Sequence, residues 1–233
     1  MTRLGLIIPS SNTTMETEFR KMLPEGFSVH AARVRLKLAT VEELAKMEEE
    51  VENEAAKLAD ADVKVIGYGC TSGSFFRGLG HDKLIEEKIR KSSGRPAVST
   101  SGAVISALKF LQVKKVAVAT PYIDEINDLE RKFLLDNSFQ VVDLKGLGIA
   151  ENLTIGRLGG QTLSRLVAEL KHNEADCIFI SCTNFPTVSN IKKFEEDFKK
   201  PILSSNTATL WAMLKRCGIS AKIQGFGKLL ERI

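Results

Sequence analysis

The sequence predicts an α/β protein built as two similar lobes, each with a parallel, helix-covered sheet, the pair related by a pseudo-two-fold axis. Three observations carry that expectation. Short β-rich apolar runs alternate with helical stretches along the chain, the pattern of a parallel sheet. A cysteine followed by threonine closes two such runs, Val65-Ile66-Gly67-Tyr68-Gly69-Cys70-Thr71-Ser72 and Cys177-Ile178-Phe179-Ile180-Ser181-Cys182-Thr183-Asn184. The neighbouring motifs also recur in the same order, which indicates one duplication rather than a solenoid of many short units.

The first half opens with an apolar strand at residues 4–8 that runs into Pro9-Ser10-Ser11-Asn12, followed by a less regular strand at 28–36. A helix over 41–59 leads to a strand at 63–68, the turn at Cys70 and a helix at 83–91. Arg95-Pro96-Ala97-Val98-Ser99-Thr100-Ser101 then precedes a helix at 103–111. The second half repeats this plan. A strand at 116–119 ends at Thr120-Pro121-Tyr122, a helix covers 123–136, and a weaker strand covers 140–144. A helix at 162–172 leads to the strand at 177–180 and to Cys182, followed by a helix at 191–198. Lys200-Pro201-Ile202-Leu203-Ser204-Ser205-Asn206 precedes the last helix, at 207–216. The expected division gives an N-terminal lobe over 1–100 and a C-terminal lobe over 101–214, with the segment 215–233 returning to the first lobe.

Composition narrows the class of function. Of 233 residues, 43% are hydrophobic and 27% charged, as in ordinary globular proteins. The 33 Lys and Arg against 29 Asp and Glu give a net charge of +4, too small and too scattered to define a nucleic-acid surface. No run approaches the roughly 18 apolar residues of a membrane span, so neither nucleic acid nor membrane is an expected partner and the expected location is cytoplasmic. Cys70, Cys177, Cys182 and Cys217 form no C-x-x-C pair and are expected to be thiols in a reducing compartment. His30, His81 and His172 lack ligand spacing, so no metal site is expected. Gly78-Leu79-Gly80 and Gly159-Gly160 make neither a dinucleotide fingerprint nor a Walker loop, and no cofactor is expected.

Ligands of open α/β sheets bind beyond the carboxyl ends of strands, where Cys70 and Cys182 both fall. Two lobes facing one another would set one thiol on each side of a small substrate, an arrangement suited to moving a proton or rotating a bond. A thiol at a strand end before a helix start has its thiolate favoured by backbone N–H groups and the helix dipole. A cysteine closing an apolar strand is also simply a small buried residue, but the paired Cys-Thr contexts favour chemistry. Thr71 and Ser72, like Thr183 and Asn184, supply the polar turns, whereas Cys177 and Cys217 have none and are expected to be structural. Asn12 lies in a stretch that either binds a carboxylate or starts a helix, because Thr13-x-x-Glu16 satisfies a capping box. Tyr122 either donates to a carboxylate or packs at the rim, and Asn152 either meets the ligand or caps a helix.

Taken together, Pro9-Ser10-Ser11-Asn12-Thr13-Thr14-Met15-Glu16, the Cys70 motif, Thr120-Pro121-Tyr122, Glu151-Asn152 and Ser181-Cys182-Thr183-Asn184 resemble the Asp/Glu racemase superfamily. The resemblance is to its maleate cis-trans isomerase and arylmalonate decarboxylase branch and spans nearly the whole chain. It implies flavodoxin-like lobes enclosing a site without metal, nucleotide or pyridoxal phosphate, in a homodimer or higher homo-oligomer. It also implies that Cys70 attacks an alkene to form a succinyl-type adduct while Cys182 handles the proton. Asn12, Tyr122 and Asn152 match carboxylate-holding positions, with groups near Thr71, Ser72 and Thr183 completing the hold.

One departure bears on the substrate. Thr71-Ser72 is similar to the oxyanion pocket of the decarboxylases, whereas maleate isomerases tend to carry apolar residues there. Decarboxylases of this type typically lack the first cysteine, so Cys70 favours isomerisation or racemisation. The leading expectation is a cofactor-independent isomerase of a small carboxylate, maleate to fumarate. The alternatives are a racemase with Cys70 and Cys182 as acid/base pair, an arylmalonate-type decarboxylase, and a non-catalytic carboxylate-binding protein.

Overall fold

The most apolar runs become central strands sheltered on both faces, and the more polar runs become sheet edges. In the computed structural model, which describes residues 1–232, the strands are β1 (Thr2–Pro9), β2 (Phe27–Val34), β3 (Val65–Tyr68), β4 (Ala97–Ser99), β5 (Lys115–Thr120), β6 (Gln140–Gly146), β7 (Cys177–Ile180) and β8 (Ile202–Ser204). They form two four-stranded sheets of order β2-β1-β3-β4 and β6-β5-β7-β8. Every pairing is parallel. The identical order is the structural form of the duplication. Leu4, Leu6, Ile7 and Ile8 of β1 are fully buried, and each such side chain contributes roughly 1.5–3 kcal/mol by leaving water. The edge strands β2 and β6 are mostly half-buried, which explains their weaker pattern.

The helices are α1 (Met15–Met22), α2 (Val41–Glu49), α3 (Val51–Asp60), α4 (Thr71–Phe75), α5 (His81–Ser93), α6 (Thr100–Phe110), α7 (Asp124–Asp136), α8 (Asn152–Gly156), α9 (Gly160–Ala168), α10 (Ile191–Phe198) and α11 (Ser205–Arg216). The helix expected over 41–59 is two helices, because the ladder tightens at Glu50, whose N–H bonds Met47 O at 3.3 Å. The buried positions Leu44, Met47, Val51, Ala55 and Leu58 keep helical spacing across that joint, so the sequence pattern does not register it.

The two halves interlock. Thr209 of α11 donates to Thr100 of α6 at 3.0 Å. Met213 of α11 lies so close over β3 that a β-carbon on Gly67 would meet its sulfur at 2.6 Å, so a helix that follows the second sheet covers the first. Beyond α11 the chain returns to α10, where the Lys228 N–H meets the Glu195 carboxylate at 3.1 Å. Among the described residues no helix is long and apolar enough to cross a membrane. No group of three His, Cys, Asp or Glu side chains among them is placed to hold a metal ion.

Candidate active site

The carboxyl ends of β1, β3, β5 and β7 converge, and each delivers a polar turn. Beyond β3, Cys70 is extended (φ −141°, ψ 112°) and caps α4, its sulfur accepting the Gly73 N–H at 3.3 Å with the Ser72 hydroxyl at 3.7 Å. Beyond β7, Cys182 takes φ +88°, a left-handed conformation that non-glycine residues seldom adopt. That strained backbone lets its sulfur accept the Asn184 N–H at 3.4 Å. Such outliers collect at functional sites.

Both thiols are nearly sealed, Cys70 at 4% and Cys182 at 5% exposure. Burial pushes the Cys70 thiol up to about 11, against the smaller opposing pull of the Gly73 N–H and the Ser72 hydroxyl. Burial likewise pushes Cys182 up to about 12, opposed by the Asn184 N–H, the Tyr122 hydroxyl and the Phe185 N–H. The depressed thiol pKa expected from a helix start is therefore corrected: desolvation outweighs the donors in this closed form. A charge on Cys70 would raise Cys182 further, so ionising one thiol disfavours ionising the other. In this closed form both are held as thiols near neutral pH.

Tyr122, 2% exposed, lies beside Cys182, and burial above all keeps its phenol protonated, with any charge on Cys182, Glu130 or Cys70 acting in the same direction. Asn12 splits its carboxamide: Oδ1 accepts the Thr14 and Met15 N–H groups at 3.0 Å, and Nδ2 donates to Thr183 Oγ1 at 3.1 Å. Thus Asn12, and not the Thr13-x-x-Glu16 box, caps α1, leaving one amide hydrogen for a ligand. Thr183 passes its own hydroxyl to Gly69 O at 2.9 Å, tying the two cysteine turns together. Asn152 donates to Ser11 Oγ at 2.9 Å. Thr71 turns its hydroxyl to Ser205 at 2.9 Å, a lobe-to-lobe contact rather than a group offered to the thiols.

Three further buried residues join this frame: Asn184, expected to supply the Cys182 turn, and Glu18 and Glu130, which the sequence pattern does not single out. Asn184 Nδ2 donates to Asn152 O at 2.6 Å and its Oδ1 accepts the Thr13 N–H at 2.9 Å. Glu18 accepts the Thr187 N–H at 2.5 Å, the Val188 N–H at 2.9 Å and Asn206 Nδ2 at 2.6 Å. Glu130 accepts the Ser181 hydroxyl at 2.6 Å, and burial pushes its carboxyl up to about 8. A signal for the two acids existed: Glu18 falls among buried Met15, Phe19 and Met22, and Glu130 among buried Ile126, Phe133 and Leu134. A carboxylate on the apolar face of a helix requires a built partner.

A latch closes the cleft, with Leu38 and Glu151 forming an antiparallel bridge flanked by Ala39 N to Ala150 O at 2.8 Å and Asn152 N to Lys37 O at 2.9 Å. Outside it lies a groove of about 1060 Å³ lined by Ser10, Ser11, Arg35, Lys37 and Lys46 together with acidic residues. Cys177 is buried within β7, and half-buried Cys217 follows α11; neither joins the site.

Fold and site together define a two-lobed α/β protein that holds a pair of buried thiols on joined, polar turns at the carboxyl ends of its strands. A family model described as arylmalonate decarboxylase matches residues 4–230, and the chain belongs to that family. It is 33% identical over 242 residues to a maleate isomerase of Pseudomonas putida KT2440, covering 98% of this chain and 97% of that one. It superimposes with a TM-score of 0.96 on an alanine variant of the maleate isomerase Iso from Pseudomonas putida S16 crystallised with maleate, at 32% identity over 99% of this chain and 98% of that one. A serine variant of the Nocardia farcinica maleate cis-trans isomerase, carrying a covalently bound succinylcysteine intermediate, matches with a TM-score of 0.96 at 28% identity over 99% of this chain and 98% of that one.

Proposed function

We propose that this protein isomerises maleate to fumarate without a cofactor, through a covalent adduct on Cys70. The observation that carries the reading is the pair of buried thiols, Cys70 and Cys182, at matching strand ends whose turns are joined by the Thr183 to Gly69 hydrogen bond. The succinylcysteine intermediate of the Nocardia farcinica relative supports the covalent step.

Cys70 loses its proton to solvent while the cleft is open, and closure traps the thiolate. The sulfur attacks one alkene carbon, and the electron pair moves onto the other carbon and its carboxylate. Cys182 protonates that carbon, completing a succinyl adduct with a single bond free to rotate. After rotation the Cys182 thiolate takes a proton back from the same carbon, the double bond reforms and the Cys70 thiolate leaves. The protons balance, and no electrons are gained or lost. Asn12, Tyr122 and Asn152 would hold the carboxylates, with Ser72, Thr71 and Thr183 shaping the two turns. Such fixed donors act on charge that develops in the transition state.

The same reading takes residues 1–100 and 101–214 as the two lobes, a homo-oligomer as the working form and the cytoplasm as its place. The test is incubation with maleate and no added cofactor, following fumarate by proton NMR and the adduct by intact mass. Fumarate together with an adduct missing from C70A supports it. No fumarate and no adduct would overturn it in favour of the racemase or decarboxylase chemistry, to be assayed on amino acids and arylmalonates.

A further inference from the structure

The chain contains two tyrosines, Tyr68 and Tyr122, and each ends beside one of the two thiols. Tyr122 has its place in the reading above. Tyr68 does not, and its hydroxyl is an anomaly: the residue is fully buried and the oxygen has no hydrogen-bond partner among the described residues. Leaving a buried hydroxyl unpaired costs roughly 1–3 kcal/mol, so a phenylalanine would be favoured here unless the hydroxyl acquires a partner in another state. Two details locate that partner. A β-carbon on Gly73 would meet the Tyr68 hydroxyl at 2.7 Å and the Cys70 sulfur at 3.0 Å, so both atoms crowd one point at the start of α4. Negative charge on Cys70 is also felt at Tyr68, after burial the largest influence that keeps this phenol protonated.

We propose that the Tyr68 hydroxyl is the donor that receives the Cys70 sulfur when it becomes charged, the counterpart on this face of Tyr122 beside Cys182. In the resting thiol the sulfur already accepts the Gly73 N–H and lies near the Ser72 hydroxyl. A thiolate has more lone-pair capacity and attracts a third donor, which Tyr68 supplies once the Cys70 side chain turns its sulfur toward the phenol. Glycine at residue 73 keeps that approach open. The inference rests on Cys70 being the nucleophile.

The test reads the thiol directly, so its outcome is separate from whether maleate is the substrate. Rates of iodoacetamide labelling across pH are measured by mass spectrometry on the Cys70 and Cys182 peptides, in wild type and Y68F. The groups around Cys70 are Ser72 on α4, Glu48 on α2 with its partners Arg77 and Lys88, His81 on α5, and Cys182 and Tyr122 from the second lobe. Glu48 is held below its ordinary range by Lys88 and Arg77, and burial lowers His81, so neither titrates in the alkaline window being scanned. The expected result is roughly tenfold slower labelling of Cys70 at neutral pH and an alkaline shift of its profile, the loss of one hydrogen bond to a charged sulfur. Cys182 labelling is expected to stay unchanged, and the thermal midpoint to stay level or rise, because the hydroxyl removed was unpaired. Unchanged Cys70 labelling in folded Y68F would overturn the proposal. Should Y68F not fold, Y122F leaves Tyr68 as the chain's one tyrosine. Its ultraviolet absorption is then expected to move as Cys70 ionises and to stay fixed in the C70A/Y122F double variant, and a Tyr68 signal blind to Cys70 would equally overturn it.

Discussion

Four cysteines share this chain, and their surroundings sort them by task. Cys70 and Cys182 each accept a backbone N–H at a polar turn, whereas Cys177 lies inside β7 with burial pushing its thiol far up. The two-thiol mechanism therefore predicts that C70A and C182A each abolish turnover, while C217A retains most of it, measured by steady-state conversion of maleate. Near-normal turnover in either of the first two would remove the mechanism. Glu130 supports a second prediction. Its carboxyl is held at about 8 by burial, above the ordinary 4.5 that it regains on unfolding. The folded state therefore keeps a proton that the unfolded chain releases, and this stabilisation is complete below about 4.5 and lost as pH rises through about 8. Against E130Q, which keeps an acceptor for Ser181 without a charge, wild type is expected to lose roughly 2–5 kcal/mol across that window. Denaturant titrations of the two proteins at pH 5 and pH 9 measure it, and parallel pH dependences would show that Glu130 is not the titrating group.

Among the elements, α4 is a five-residue helix that follows Cys70, and its third residue decides whether it forms in place. A β-carbon at Gly73 would meet Met47 Cε at 2.6 Å as well as the Tyr68 hydroxyl and the Cys70 sulfur. Met47 ends in a flexible methyl that can yield, but the Tyr68 ring is anchored in β3. G73A is expected to destabilise the fold by roughly 1–3 kcal/mol through overpacking, and to suppress Cys70 labelling because α4 must tilt away. Thermal unfolding and iodoacetamide labelling measure the two effects, and a variant normal in both would show that the contact relaxes freely. The legibility of the elements follows the same physics. Central strands announce themselves as apolar runs, so β1, β3, β5 and β7 and the turns beyond them were readable, and with them both cysteines. The three-residue strands β4 and β8 are too short for any periodicity and appear in sequence only as proline-led segments before a helix. The starts of α6 and α11 were placed late because Thr100-Ser101-Gly102 and Ser205-Asn206 look like loop, yet they are helix N-termini buried between the lobes. Of the site, the reactive types were legible. The contacts of Asn12 with Thr183, Thr71 with Ser205 and Asn184 with Thr13 are not, since each joins the two halves of the chain.

Across the whole molecule the lobes meet at a polar seam rather than a flexible junction, and buried Glu18 is its most heavily bonded member. One oxygen takes the N–H groups of Thr187 and Val188, just beyond the Cys182 turn, and the other takes Asn206 Nδ2 and the Thr187 hydroxyl. A carboxylate can accept on both oxygens, and glutamine cannot. In E18Q the amide nitrogen would face either two backbone N–H groups or the Asn206 amide. Flipping Asn206 to accept would set its oxygen against the Thr183 carbonyl that its Nδ2 now meets at 3.0 Å. Some buried donor is left unpaired in every arrangement, at a cost of roughly 1–3 kcal/mol. Because the seam also carries the Asn12, Thr183 and Gly69 chain, the loss is expected to spread to both lobes and not to one. Urea unfolding followed by circular dichroism and by the fluorescence of Trp211, the chain's single tryptophan on α11, should show one shared transition in wild type and one shared, earlier transition in E18Q. Two separated transitions in wild type would mean that the halves fold independently, and the closed two-thiol cleft would then need its ligand to assemble it.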